Sequence, residues 1–183
     1  MNAKAIRAAQ RYCASCRGTP TLKTQVLVAE SLVPRIVHPP SGMDDQQIAT
    51  GCDVTKRRRA DLEWIGADRV VKFGIDEDSH MARGYTVQCE MGKVDDHFQA
   101  YQAQGRAMVP VFFVKFNPDA YDGGRVPFQA RIDAMVARVN ELLTMDVSEY
   151  TCLMPHVEFH YYHSKASGRI AAFKANDDKF VVL

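Results

Sequence analysis

One short apolar run constrains the fold of this chain more than any other feature. Residues Pro110–Phe116 read PVFFVKF and are apolar at nearly every position. A strand that is apolar on both faces is typical of the middle of a sheet that is covered on both sides. The residues Asn117-Pro118-Asp119 follow directly and end the run. We therefore expect the chain to fold around a central strand at this position.

The segments around the central strand predict an α/β fold, with a mixed central sheet flanked by helices. Apolar residues that recur every three or four positions indicate helices, and short β-prone runs indicate strands. The order strand, strand, helix, strand, helix, strand favours this layout. The expected elements are a hairpin of Ala60–Ile65 and Arg69–Glu77, a helix through Val94 and Tyr101, a helix after Pro127, a strand at Val157–Tyr162 and a short edge strand at Phe180–Leu183.

The first fifty residues are expected to form a basic extension, and residues 51–183 the main domain. Leu22–Val33 contains alternating and apolar segments that predict a strand, and Pro34–Thr50 has the composition of a loop or linker. No acidic residue precedes Glu30, whereas five lysines and arginines do. Such a segment could be an organellar transit peptide, an arm for nucleic acid or a solvated terminal helix. An arm or docking helix is the favoured interpretation.

Composition limits the partners and the compartment. The apolar share of 46% is enough for a core, and the net charge of +1 gives no overall attraction to nucleic acid, so such binding would need local patches. No apolar stretch approaches the ~20 residues of a membrane span. Five cysteines, an odd number, favour an intracellular, reducing compartment over a disulfide framework. An organelle, the nucleus or a virion are all compatible with this pattern.

Acidic residues lie on both predicted strands of the hairpin. Asp61 lies on the first strand, Asp76 and Glu77 end the second, and His80 follows shortly after. If the two strands pair, Asp61 and Asp76 would offer oxygen ligands to Mg²⁺, which lowers the pKa of a bound water. His80 could then relay a proton. From the spacing alone, a turn or helix cap with a surface histidine is the favoured alternative.

Four consecutive cations precede the first of these acidic residues. They are Lys56, Arg57, Arg58 and Arg59. Such a run could contact the phosphate backbone of nucleic acid, or serve as a nuclear import signal. A solvated charge run is an equally good interpretation of the same residues.

The order of these motifs resembles a known family. Arg59-Ala60-Asp61, Asp76–His80, Gly84-Tyr85, Cys89-Glu90 and Val111–Asp119 are similar, in sequence and in order, to motifs of nuclease-like proteins. The resemblance is to the very-short-patch-repair branch of the PD-(D/E)XK endonuclease-like superfamily, and more closely to nuclease-like proteins of large DNA viruses and algae. It covers about residues 57–162. It implies a restriction-endonuclease-like core that acts on or binds nucleic acid with Mg²⁺, with Asp61 and Asp76 as metal ligands and Glu77 and His80 in support.

One position departs from the family pattern. Gly74 stands where both groups carry a glutamate, two residues before Asp76 and on the same face of the strand. Loss of this carboxylate favours an alternative function, in which a catalytically inactive nuclease fold serves as a structural or interaction subunit of a large assembly. A replacement oxygen could come from Glu77, Glu63 or Glu90, and the superfamily's lysine could be Lys72 or Lys115.

Two further groups could bind metals. Cys13-x-x-Cys16 has the spacing of a zinc knuckle, which His38 and Cys52 could complete, although ordinary reduced thiols are the favoured interpretation. On the last predicted strand, three alternate residues could also ligate a metal, although a polar strand face is favoured. These residues are His156, Glu158 and His160.

Overall fold

The computed structural model describes residues 21–43, 62–76, 86–106, 108–122 and 124–183. These ranges contain a six-stranded sheet with helices on both faces, which confirms the predicted α/β class. In chain order the elements are helix α1 (Thr21–Leu32), strands β1 (Gly42–Met43), β2 (Leu62–Ile65) and β3 (Val70–Ile75), helix α2 (Val87–Tyr101), strand β4 (Val111–Phe116), helix α3 (Phe128–Thr144), strand β5 (His156–His160), helix α4 (Ser167–Lys174) and strand β6 (Val181–Val182). Single helical turns occur at Val33–Arg35, Gln102–Arg106 and Ser164–Ala166.

The sheet is mixed, and its spatial order follows the chain from β1 to β6. Strands β1, β2 and β3 pair antiparallel, and β3, β4, β5 and β6 pair parallel. Every residue of β4 is buried, as expected for the central strand. The register places Gly74 opposite Lys115, and Lys115 opposite Phe159.

Helices cover both faces of the sheet and create two apolar cores. Alternate residues of β3 and β4 pack against α1 and α3, among them Phe73 and Phe116. The intervening residues face α2 and α4, where Val111 and Phe113 pack with Phe98. The face of β3 that carries Lys72, together with Asp76 just after the strand, is therefore buried under α2. Among the described helices, none has the length and apolarity needed to cross a membrane.

The prediction of a strand at Leu22–Val33 is wrong, because this segment forms α1. Val28, Ala29, Leu32 and Ile36 lie at helical spacing and are buried in the core that α1 shares with α3. Its alternating and apolar segments suggested a strand, but packing against α3 decides the outcome. The division of the chain near residue 50 stays a prediction, although the described part of the predicted extension belongs to the main core.

Candidate active site at the carboxyl ends of the parallel strands

Three polar side chains meet where parallel strands end. Asp76 follows β3 directly, Lys115 is the penultimate residue of β4, and Tyr162 lies two residues after β5. Carboxyl ends of parallel strands share one edge of a sheet, which is the usual place for ligands in α/β proteins. The amide of Asp76 donates to the Phe116 carbonyl at 2.8 Å, so the strand pairing continues to this residue and fixes its position.

Lys115 joins two carboxylates inside the protein. Its Nζ lies 3.2 Å from Oδ2 of Asp76 and 3.4 Å from Oε2 of Glu90. Asp76 is 3% exposed and Glu90 is fully buried. Burial alone would lower the pKa of Lys115, but the charges of Asp76 and Glu90 outweigh it and the pKa is raised. Lys115 is therefore an ammonium ion at neutral pH.

Local sequence explains why Glu90 reaches this site. The Thr86 hydroxyl accepts a hydrogen bond from the amide of Cys89 at 3.2 Å, which caps α2 and fixes where the helix begins. Glu90 then falls in the first turn, on the side that faces the sheet. The later residues Val94, His97 and Tyr101 recur at helical spacing and are buried under the same face.

Tyr162 supplies a second hydrogen-bond donor to Asp76. Its hydroxyl donates to the same oxygen, Oδ2, that Lys115 contacts. Burial and then the charges of Asp76 and Glu90 raise the pKa of Tyr162 well above its ordinary value. The phenol consequently keeps its proton at neutral pH and acts only as a donor toward the carboxylate.

The backbone before Tyr162 makes a specific turn. Tyr161 has a left-handed conformation with φ of 60°, which is uncommon for a residue with a bulky side chain. Asn117 holds the turn, because its amide donates to the His160 carbonyl at 3.0 Å and its side chain donates to the Tyr161 carbonyl at 2.9 Å. The Phe159 ring packs edge-on against the Tyr162 ring at 5.2 Å. These contacts direct Tyr162 toward Asp76.

Gly74 leaves space beside Asp76. A Cβ atom built at Gly74 would lie 3.7 Å from Oδ1 of Asp76, an ordinary van der Waals contact, and no other described atom comes within 4 Å. Oδ2 of Asp76 contacts Lys115 and Tyr162, and Oδ1 is the oxygen nearest to this built Cβ. Glycine inside a strand often marks a place where a ligand approaches closely.

A second buried polar network lies next to the first, on the same sheet face. Lys72 and Glu63 are partners across β3 and β2. The Nζ of Lys72 is 2.6 Å from Nδ1 of His97, and the hydroxyl of Tyr101 donates to Glu63 at 2.5 Å. Burial and the charge of Glu63 raise the pKa of Tyr101 above its ordinary value. Of the two lysines considered for the family's lysine, Lys115 therefore contacts the carboxylate of Asp76, whereas Lys72 contacts a histidine.

Most of the other predicted site residues lie outside the described part of the chain. This applies to Asp61, Glu77, His80, Lys56, Arg57, Arg58, Arg59, Cys13, Cys16 and Cys52. Their proposed roles in cation binding, phosphate contact and zinc binding stay predictions. The remaining candidate zinc ligand, His38, is exposed, and its carbonyl accepts a hydrogen bond from the Trp64 indole at 2.9 Å.

The alternating residues of β5 face the opposite side of the sheet, toward α3. Glu158 accepts hydrogen bonds from Arg138 at 2.5 Å and from His160 at 2.8 Å. His156 stacks on Phe112 instead. His156 and Glu158 are buried and His160 is half-buried, and each has a partner within the protein. Within the described ranges, no three His, Cys, Asp or Glu residues are arranged to hold a metal ion.

Sequence reasoning identified Asp76 but gave Glu90 and Lys115 only as alternatives, and it missed Tyr162. The position of Glu90 in the first turn of an amphipathic helix was a usable signal for a sheet-facing carboxylate. Lys115 had no comparable signal, because its place beside Asp76 depends on the register between β3 and β4. No sequence pattern singled out Tyr162, since its direction depends on the turn at Tyr161.

The donor set suits a hard divalent cation. Asp76 and Glu90 offer carboxylate oxygens, and Mg²⁺ in enzymes is often held by one or two carboxylates, with waters and substrate phosphates completing its octahedron. The residues present therefore fit such an ion as a partial ligand set, with Gly74 leaving room for the remaining ligands. No protein-family model, curated protein or solved structure matches the chain.

Proposed function

We propose that this chain is an endonuclease-like domain that binds nucleic acid and hydrolyses its phosphodiester backbone with Mg²⁺. One observation carries the proposal: at the carboxyl ends of β3 and β4, Nζ of Lys115 lies within 3.4 Å of a carboxylate oxygen of both Asp76 and Glu90. Two oxygen ligands beside a fixed ammonium group match the charge pattern of a phosphate bound to a divalent cation. The motif resemblance described above, which includes these same residues, agrees with the proposal.

Each residue has a distinct role in the proposal. Asp76 and Glu90 would hold the cation, which when bound neutralises phosphate charge and makes a bound water more acidic. Lys115 would stabilise the negative charge that develops on the phosphate oxygens. The supporting ligands, acids and bases would be Asp61, Glu77 and His80, and the backbone contacts would come from Lys56, Arg57, Arg58 and Arg59.

Replacement of Asp76 by asparagine tests the proposal. Asp76→Asn keeps the shape of the side chain but removes its charge, so nicking of duplex or single-stranded DNA with Mg²⁺ or Mn²⁺ should fall by about two orders of magnitude or more. Asp178→Asn is the matched control, because Asp178 is exposed and lies outside the site. Equal cleavage by the wild type and Asp76→Asn would end the catalytic claim.

Gly74 favours a second function, that of a catalytically inactive nuclease fold in a larger assembly. Lys115 already pairs with both carboxylates, so one of the two buried negative charges is balanced without a cation. The glutamate expected from the family pattern would sit at Gly74, beside Oδ1 of Asp76. A protein that needs only the fold would tolerate its loss.

Restoring that carboxylate separates the two functions. Gly74→Glu places an oxygen ligand beside Asp76, in a position where the first carbon of the side chain fits. A silent wild type and a cleaving Gly74→Glu variant would identify an inactive nuclease fold. Gly92→Glu is the control, since Gly92 also has open space around it and, two residues beyond Glu90, lies on the other side of α2. Robust cleavage by the wild type would exclude the inactive function.

A further inference from the structure

A further buried cation, Arg169, lies near the site. Helix α4 connects the parallel strands β5 and β6, so it begins at the carboxyl edge of the sheet, where Asp76 and Lys115 lie. Arg169 is in the first turn of this helix and is 9% exposed. A cation there is unfavourable twice, because burial removes water from the charge and the positive end of the helix dipole repels it. Such departures from local preference concentrate at functional sites.

The helix face that carries Arg169 is directed at the site. Phe173 lies one turn later on the same face, and its ring is 5.2 Å from the ring of Phe159. Phe159 is the partner of Lys115 across β5 and β4, and its ring is also 5.2 Å from the ring of Tyr162. Arg169 is therefore one helical turn nearer to the carboxyl edge than Phe173, on the side of Tyr162.

The charge of Arg169 acts at the same point as the two carboxylates. Burial and then the charges of Asp76 and Glu90 raise the pKa of Tyr162, and the charge of Arg169 opposes them. Lys115 balances one of the two carboxylates. A phosphodiester would bring a further negative charge, so its binding beside two carboxylates requires positive charge beyond that of Lys115. Arg169 supplies such a charge from a different element.

We propose that Arg169 binds a phosphate of the nucleic-acid backbone at this site, with two N–H groups donating to its non-bridging oxygens. The inference rests on the proposed function, because it names a residue that contacts the substrate at that same site. Arginine suits this role because its planar guanidinium matches two oxygens of one phosphate and always keeps its charge.

The salt dependence of DNA binding by the full chain tests this contact without reference to cleavage. Each phosphate that a protein neutralises contributes about −0.7 to the slope of log affinity against log salt concentration for single-stranded DNA. We expect Arg169→Gln to bind a short single-stranded oligonucleotide more weakly and to reduce the steepness of this slope by about one such contact. Fluorescence anisotropy with Ca²⁺, a hard cation that also takes oxygen ligands, measures both quantities.

Lys174→Gln is the matched control, because Lys174 is an exposed cation on the same helix, and it should leave the slope unchanged. Urea midpoints report whether each variant is folded. If Arg169→Gln does not fold, Arg169→Lys carries the test. It keeps the charge and therefore the slope, but its affinity should fall because an ammonium group lacks the paired donors. Wild-type affinity of a folded Arg169→Lys would then overturn the inference.

The outcomes separate this inference from the proposed function. A folded Arg169→Gln with the slope of the wild type would overturn the inference, whereas loss of cleavage in Asp76→Asn would leave the proposed function standing. A reduced slope in Arg169→Gln, with no cleavage by the wild type, would support the phosphate contact and refute the proposed catalysis. A wild type that does not bind DNA would refute both.

Discussion

At the scale of single residues, the fold depends on buried charges that have exact partners. Lys115 is such a residue on one sheet face, and Glu158 is its counterpart on the other. A buried carboxylate is costly unless donors surround it, because the protein interior solvates charge poorly. Burial would raise the pKa of Glu158, yet hydrogen bonds from His160 and Arg138 lower it from 4.5 to about 2. The side chain is therefore ionised in the folded protein at neutral pH.

Removal of Arg138 should destabilise the protein, because the buried charge of Glu158 then loses one of its partners. Arg138→Met leaves Glu158 with His160 as its donor, and we expect the free energy of unfolding at pH 7 to fall by about 2 kcal/mol. A carboxylate whose pKa is lowered in the folded state stabilises the protein at pH values above its pKa in the unfolded state. This stabilisation is lost as the pH falls toward the pKa of the folded state. The difference between wild type and variant should therefore shrink between about pH 4.5 and pH 2. Urea unfolding over this pH range measures both effects.

Arg35→Met provides the comparison for this prediction. Arg35 pairs with Asp133 at 2.7 Å, also between two segments of the chain, but both side chains are about half exposed. Exposed ion pairs contribute roughly 0–1 kcal/mol, so this variant should lose little stability at any pH. Equal losses of stability in Arg138→Met and Arg35→Met would show that the burial of Glu158 does not determine how much its ion pair stabilises the protein.

At the scale of elements, a helix or strand could be predicted where its sequence carries one clear pattern. The hairpin alternates, the central strand is apolar throughout and helix α3 has helical spacing, and each forms close to its predicted position. Helix α1 lies where a strand was predicted, because the alternating and apolar segments of its sequence outweighed the helical spacing of its buried residues. Helix α4 was not predicted; it is only eight residues long, and packing of the buried Phe173 against Phe159 of β5 holds it in place.

At the scale of the whole molecule, the site could be predicted only in part, because it is assembled from four separate elements. Alternation along β3 was enough to place Asp76 on the correct face. Glu90 and Lys115 required knowledge of helix docking and of strand register, which one sequence does not contain. Prediction of Tyr162 would have required the left-handed turn at Tyr161, and no local sequence pattern predicts such a turn at a residue other than glycine. A polar residue at the end of a strand can thus be recognised from the sequence, but the residues that it contacts depend on the topology of the fold.

The whole fold should also depend on the segment before residue 50. Leu32 is fully buried where α1 packs on α3, whereas Leu27 on the same helix is 51% exposed. We expect Leu32→Ala to lower the free energy of unfolding by about 3 kcal/mol, since it removes core contacts and leaves a cavity. Leu27→Ala should change it by less than about 0.5 kcal/mol. A single cooperative urea transition that shifts only in Leu32→Ala would show that α1 and the sheet fold as one unit. Two separate transitions, or equal small effects of both substitutions, would instead show that the N-terminal segment is an independent extension.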